Sequence, residues 1–161
     1  MAKAKQKIPD GYHTVTPVLV FDDTRKAIDW YEKALGAKKG GVYEGPDGKV
    51  MHAEMRIGNS PIMLHDAMMG SKSPKTFGGS PVSIWIYVED CDALFNRALG
   101  AGAEEGGMPM ADQFWGDRCG MLKDPFGYSW TIATHKEDLT PAELDERSEE
   151  ALKAMAGSGR K

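Results

Sequence analysis

The chain has 161 residues, of which 41% are hydrophobic and 27% are charged, a composition that suits one globular domain with a full core. Its formal net charge of -4 argues against a broad nucleic-acid-binding surface. No stretch approaches the ~18 apolar residues that a membrane span needs, and the basic start MAKAKQK lacks the apolar run of a secretory signal. Cys91 and Cys119 form no CxxC pair, so we expect two reduced thiols in a cytoplasmic protein.

An internal repeat is the most informative property of the chain. Residues Val15 to Phe21 are apolar and β-branched and predict a strand, after which Asp23 can cap a helix that ends at Gly36. In the second half, Val82 to Val88 predict a strand in the same way, and Asp90 takes the place that Asp23 has in the first half. Apolar residues at spacings of three and four follow both aspartates and predict an amphipathic helix in each half.

Further strand signals complete the repeat. The predicted strands are Lys49–Ile57 and Pro61–His65 in the first half, and Gly116–Leu122 and Tyr128–Ala133 in the second. Each half is therefore predicted to be a β-α-β-β-β module. We expect an α+β fold in which two tandem modules form a curved mixed sheet around a cavity, with a C-terminal helix added.

These elements predict one paired-module domain over residues 1–138. Module one covers about residues 8–67, a linker rich in Gly, Ser, Lys and Pro covers 68–80, and module two covers about 81–135. Residues 139–161 are predicted to form a C-terminal helix and tail, because Thr140-Pro141-Ala142-Glu143 combines an N-cap, a first-turn proline and a capping glutamate. The first seven residues and the final GSGRK are expected to be frayed or disordered.

Three segments carry a family resemblance: VTPVLVFDDTRKAIDWYEKALGA, IYVEDCDALFNRALGAGA and the closing DPFGYSWTI. They resemble the vicinal-oxygen-chelate superfamily, which includes glyoxalase I, bleomycin-resistance proteins and extradiol dioxygenases. More narrowly, DQFWGDRCGMLKDPFGYSWTIATHKED is similar to the PhnB-like, glyoxalase-type subgroup, and the resemblance runs from about Ile8 to Asp138. It implies modules that enclose a cavity for a small-molecule ligand and that often pair between chains as a homodimer. It implies no single activity, because this fold hosts unrelated chemistries.

The resemblance also implies where a metal would bind. Metal-using members place one His, Gln or Glu ligand at each of four cavity-facing strand positions. Carried over by spacing, these positions fall on Thr16, Met63, Ser83 and Thr131. None of these side chains is a good ligand for zinc, iron or nickel, which prefer imidazole, thiolate or carboxylate. We therefore expect no metal cofactor and no metal-dependent glyoxalase chemistry.

A relocated site for a divalent metal is the alternative. His52 and Glu54 are two residues apart on one predicted strand and share a face, and His65 shares a face with Met63 on the next strand. His52, Glu54 and His65 would supply ligands from neighbouring strands. The opposing interpretation is that both histidines are hydrogen-bonded polar residues of the sheet. His135 lies near a strand end and is expected at the surface.

The segment Asp112 to Arg118 (DQFWGDR) is the most unusual short stretch of the chain. Arg118 is a candidate for holding a carboxylate or phosphate through two parallel hydrogen bonds, and Trp115 is a candidate for stacking on a planar or cationic ligand. Asp117 is a candidate base, or a partner that orients Arg118. The alternative is an Asp-Arg pair that fixes a loop, with Trp115 filling the core.

Trp85 is predicted to line the cavity. It shares one strand face with Ser83 and Tyr87, and Ser83 falls on a cavity-facing position. Our leading hypothesis is a small-molecule-binding protein of the glyoxalase/bleomycin-resistance type without the usual metal, which binds an apolar or planar compound or does metal-free proton chemistry. The predicted ligand contacts are Thr16, Glu54, Met63, His65, Ser83, Trp85, Trp115, Arg118 and Thr131. The alternatives are a metal-dependent lyase, isomerase or dioxygenase, and a scaffold protein that lacks a pocket of about 300 Å³ between its modules.

Overall fold

The computed structural model describes residues 3–158, which form two modules and a C-terminal helix. The first module consists of β1 (Val18–Phe21), α1 (Thr24–Leu35), β2 (Lys38–Glu44), β3 (Val50–Ile57) and β4 (Ser60–Asp66). A short helix, α2 (Pro74–Phe77), lies between the modules. The second module consists of β5 (Ser83–Tyr87), α3 (Cys91–Gly100), β6 (Glu104–Glu105), β7 (Ala111–Asp112), β8 (Asp117–Lys123) and β9 (Ser129–His135). Helix α4 (Pro141–Ser158) follows.

Each module forms one mixed sheet. In sheet A the strand order is β1-β4-β3-β2, with β1 parallel to β4 and the other pairs antiparallel. In sheet B the order is β5-β9-β8-β6, with β5 parallel to β9, and β7 pairs with β8 outside this path. The same connection of strands and helix thus occurs twice, which confirms the predicted α+β fold of tandem modules, built here as two separate sheets.

Equivalent aspartates begin the helix of each module. The Asp23 side chain accepts a hydrogen bond from the Lys26 backbone N–H at 3.1 Å, and Asp90 accepts one from the Ala93 N–H at 2.9 Å. Each bond satisfies a donor that has no partner within the first helical turn. Helix α1 stops at Gly36, whose φ of 67° lies in the left-handed region that favours glycine. The local signals of the repeat therefore act as predicted.

Each sheet buries one face against a helix and leaves the other face open. In β1, Leu19 and Phe21 are buried, whereas Val18 is 53% exposed. In sheet B, Trp130 is fully buried on the helix side, and Trp85 on the neighbouring strand points the other way. We call the side that faces away from α1 or α3 the open face of each sheet. Any ligand site formed by strand residues has to be sought there or at the strand edges.

A buried carboxylate joins the two modules. Asp124, in the turn between β8 and β9, accepts hydrogen bonds from the Tyr31 hydroxyl at 2.6 Å and from Trp130 Nε1 at 2.8 Å. Its other oxygen accepts the backbone N–H groups of Phe126 and Tyr128, each at 2.9 Å. Burial raises the pKa of Asp124, although these donors favour its ionised form. Because Tyr31 lies on α1, a helix of module one is tied to a turn of module two.

The sequence prediction does not match strand β1, strand β2 or helix α2. Strand β1 begins later than predicted, at Val18, after Pro17, which has no N–H to donate to a sheet. Strand β2 runs through a glycine-rich stretch, where a Cβ at Gly40 would come within 3.0 Å of the Glu54 carbonyl oxygen. Helix α2 interrupts the predicted linker, and its first turn is capped by Ser73.

Helix α4 begins with the predicted capping box. The Thr140 N–H donates to Glu143 Oε2 at 2.8 Å, and the Glu143 N–H donates to Thr140 Oγ1 at 3.3 Å. The helix continues to Ser158, into the predicted tail, and the rest of that prediction, residues 159–161, lies outside the described residues, as do residues 1–2. Within residues 3–158, no helix has both the length and the apolar character needed to cross a membrane.

Candidate functional site

An aromatic cluster covers one end of the open face of sheet B. Trp85 and Tyr87 project from β5, and Trp115 comes from the turn before β8. The ring centroid of Trp85 lies 6.1 Å from that of Tyr87 and 6.4 Å from that of Trp115. Trp85 is 43% exposed and Tyr87 is 62% exposed. These three residues, called the aromatic cluster below, include both tryptophans that the sequence predicts as ligand contacts.

A buried carboxylate binds the polar ends of this cluster. Asp117 is 4% exposed, and its Oδ2 accepts hydrogen bonds from the Tyr87 hydroxyl at 2.8 Å and from Trp115 Nε1 at 3.1 Å. Its Oδ1 accepts one from His135 Nδ1 at 2.7 Å. Burial opposes ionisation, but the hydrogen bonds from His135, Tyr87 and Trp115 outweigh it and hold the pKa of Asp117 below its ordinary value. The carboxylate is therefore ionised at neutral pH.

His135 is a member of this site that the sequence does not single out. Its side chain is 53% exposed, as expected for a strand end, but the strand register places it directly opposite Asp117. Its Nε2 lies 3.0 Å from Asp138 Oδ1. The hydrogen bond to Asp117, and then that to Asp138, raise the pKa of His135. The register of β8 against β9 is what would identify His135 as part of the site, and a single sequence does not specify that register.

Arg118 lies on the other face of sheet B from its neighbour Asp117. Its guanidinium extends towards α3, where it donates to Asp92 at 2.6 and 2.7 Å and to Asp112 at 3.2 Å. These pairs occupy donors that a ligand carboxylate or phosphate would need. The structure therefore separates Arg118 from the aromatic cluster and pairs it with Asp92 and Asp112 instead of Asp117.

A second polar group lies on the open face of sheet A. His52 Nε2 is 3.3 Å from Glu54 Oε1, and the Tyr12 hydroxyl bonds to the same carboxylate. The bond from Tyr12, and then that from His52, lower the pKa of Glu54. His65 is near by on β4, with Nδ1 at 2.8 Å from the Asp66 carbonyl oxygen. The structure thus brings the predicted residues to one face and adds Tyr12, which no local pattern indicates.

A cavity of about 570 Å³ lies between the modules. It is enclosed by the segment before β1, the turn between β3 and β4, and strand β5. The lining residues are His13, Val15, Pro17, residues 57–62, residues 84–88 and Trp130. Trp85 and Tyr87 therefore belong both to the aromatic cluster and to the cavity wall. The scaffold alternative is favoured if no pocket of about 300 Å³ lies between the modules, and this cavity is larger than that.

Residues 12–132 match the family model of the Glyoxalase/Bleomycin resistance protein/Dioxygenase superfamily. The chain belongs to this superfamily. The match begins at Tyr12 and ends within β9, so it covers both modules and the cavity between them. The resemblance that the sequence motifs indicate is thereby confirmed.

Individual proteins are similar to most of the chain. The uncharacterized protein Rv0887c of Mycobacterium tuberculosis is 44% identical over 135 residues, which cover 81% of this chain and 79% of that protein. Protein PA1353 from Pseudomonas aeruginosa has a crystal structure with a TM-score of 0.64 and 26% identity, covering 78% of this chain and 99% of that chain. The PhnB protein from Bacillus cereus has a TM-score of 0.58 and 18% identity, covering 76% and 99% respectively, and supports the fold alone.

The metal positions that the resemblance implies carry hydroxyl and thioether side chains, which are poor ligands for zinc, iron or nickel. Carried over by spacing, these positions are Thr16, Met63, Ser83 and Thr131. Thr16 is half-buried before β1 and donates to the His13 carbonyl at 3.3 Å, whereas Thr131 is 2% exposed. In the relocated set, His52 and Glu54 contact each other, but across residues 3–158 no group of three or more His, Cys, Asp or Glu side chains is arranged to hold a metal.

Proposed function

We propose that this protein binds an apolar or planar small molecule in the cavity between its modules, without a metal cofactor. The observation that carries the proposal is the inter-module cavity of about 570 Å³, with the accessible ring of Trp85 in its wall. Sites for drug-sized ligands occupy about 300–1,000 Å³ and are lined mainly by apolar and aromatic side chains. A planar ligand of that size has room in the cavity and an indole face on which to stack.

The cavity lining supports binding of a flat molecule. Ile84 and Ile86 are partly buried in the wall and offer apolar surface, whose removal from water drives association. The Tyr87 hydroxyl is held by Asp117, so this ring is oriented before a ligand arrives. Side chains that are already ordered lose little conformational entropy on binding. The wall is therefore preorganised.

The four tryptophans of the chain allow a site-resolved test. The indole N–H signals of ¹⁵N-labelled protein would be followed while 1-methylnaphthalene, a planar apolar probe, is added. We expect a saturable shift of the Trp85 signal. The Trp30 signal should stay in place, because its Nε1 donates to the Ala101 carbonyl at 2.8 Å on the helix side of the fold.

Two variants complete this test. Trp85→Leu should abolish saturable binding while the circular dichroism spectrum of the folded protein is kept, and Trp30→Phe is the matched control that should retain binding. The proposal fails if the Trp30 signal follows the probe as closely as the Trp85 signal does, or if Trp85→Leu binds the probe as well as the parent protein. It also fails if no planar apolar probe produces a saturable shift.

We also propose that the protein assembles as a homodimer. Strand β2 is paired on one side only, by β3, and Val18, Met51 and Leu152 expose apolar side chains. Unpaired strand edges and exposed apolar surface are typical of regions that contact another chain. Light scattering during gel filtration should give twice the mass of one chain. A one-chain mass at micromolar concentration would rule out a stable dimer.

A further inference from the structure

The polar ends of two rings in the aromatic cluster point at one carboxylate oxygen. The Tyr87 hydroxyl and Trp115 Nε1 both donate to Asp117 Oδ2, at 2.8 and 3.1 Å. An aromatic ring has a positive edge and a negative face. Because the positive polar groups are satisfied by Asp117, the negative faces are what the cluster offers to a ligand. The geometry therefore favours a ligand of positive charge.

The charge of Asp117 strengthens this preference. The carboxylate is 4% exposed, so it acts on a ligand through the rings and through its field, which water screens weakly at a buried site. The centroids of Tyr87 and Trp115 lie 6.1 and 6.4 Å from that of Trp85. A group seated on Trp85 is thus near a second ring, and an aromatic face attracts a cation that lies within ~6 Å of its centroid.

Two cationic side chains near Asp117 are themselves paired with carboxylates. Arg118 lies on the other face of the sheet, in ion pairs with Asp92 and Asp112. His135 shares Asp117 through Nδ1 at 2.7 Å, and its Nε2 lies 3.0 Å from Asp138. Even a protonated His135 therefore stands between two carboxylates, and the group keeps a net negative charge.

We infer that the aromatic cluster selects a planar organic cation, such as an N-alkylated heteroaromatic ring, over a neutral molecule of the same shape. This inference names the ligand class of the proposed function and rests on it, because the cation uses the same Trp85 wall of the cavity. Asp117 is a positioning residue that acts through Tyr87 and Trp115. The net charge of -4 also favours a positively charged ligand at longer range.

Two probes of equal shape and different charge test the inference. 1-Methylquinolinium is a planar cation, and 1-methylnaphthalene is its neutral counterpart. Dissociation constants would be taken from the saturable shift of the Trp85 indole N–H at fixed ionic strength. We expect the cation to bind about tenfold more tightly. Equal constants would overturn the inference and leave the proposed function standing, whereas failure of both probes to shift Trp85 would overturn both.

Two variants that change the local charge in opposite directions separate an electrostatic role of Asp117 from a structural one. Asp117→Asn should reduce the cation preference to about twofold, and His135→Gln should increase it, because it removes a competing positive group. Loss of the preference in both variants would assign Asp117 a structural role only and overturn the inference. Tyr87→Leu, at an exposed position, should also reduce the preference for the cation, and it replaces Asp117→Asn if that variant does not fold. Tyr43→Leu on sheet A is the control that should leave the preference unchanged. An unchanged preference in both Asp117→Asn and Tyr87→Leu would equally overturn the inference.

Discussion

The hydrogen bond between Tyr31 and Asp124 makes the docking of the two modules testable. The substitution Tyr31→Phe removes one hydroxyl and keeps the ring that packs against the core. That hydroxyl donates to Asp124 Oδ2 at 2.6 Å, and Tyr31 is 0% and Asp124 3% exposed. Burial, and then the charge of Asp124, raise the pKa of Tyr31 well above its ordinary value, so the phenol remains a donor.

The expected loss of stability follows from what remains after the substitution. A hydrogen bond to a charged group contributes about 1.5–3 kcal/mol. Oδ2 of Asp124 keeps Trp130 Nε1 as a donor at 2.8 Å, so the carboxylate is not left without a partner. We therefore expect the lower part of this range, about 1.5–2 kcal/mol. With a urea m-value of about 2 kcal/mol/M, the unfolding midpoint should fall by about 1 M.

Urea unfolding followed by far-ultraviolet circular dichroism measures this change. Tyr43→Phe is the matched control, because Tyr43 is 63% exposed, so the free energy of unfolding should change by less than about 0.5 kcal/mol. If the midpoint of Tyr31→Phe falls no further than that of Tyr43→Phe, the buried carboxylate does not hold the modules together and the argument is refuted.

Four further outcomes are expected. His135 should titrate above pH 6.5 by NMR, its pKa should fall in Asp117→Asn, and titration at or below pH 6.5 in the parent protein would contradict this prediction. Because the pKa of His135 is raised in the folded state, its stabilising contribution is present below about pH 6.5 and is lost as the pH rises through the folded-state pKa. Tag-free protein incubated with zinc, nickel, manganese and iron should hold no stoichiometric metal by elemental analysis, whereas metal that disappears in His65→Ala would establish the relocated site. Burial raises the pKa of Cys119 to about 11, so DTNB should not modify this thiol in the folded protein at neutral pH, and rapid modification would show that the thiol is accessible. Thr24→Val should raise the urea midpoint by about 0.5 M, because in the described part of the chain Thr24 Oγ1 is buried without a hydrogen-bond partner; a lower midpoint would mean that the hydroxyl is bonded.

Local interactions made much of this fold predictable from sequence. Asp23 and Asp90 cap their helices through contacts only three residues away, and Gly36 ends α1 through its own backbone conformation. Because the same local pattern occurs twice, the sequence predicts tandem modules, and the family match covers both. The placement of Trp85 and Tyr87 on one strand face follows from the two-residue period of a strand.

The composition of the site was decided by tertiary structure. The bond from Tyr31 to Asp124 joins residues 93 positions apart, and the pairing of Asp117 with His135 depends on the register of β8 against β9. A shift of one residue in that register would move every side chain of the strand to the other face, and the sequence pattern alone does not exclude such a shift. For the same reason Arg118, which the sequence places beside Trp115, lies across the sheet with Asp92. Local propensity and periodicity therefore determined the modules, whereas register and docking decided which side chains meet around the cavity.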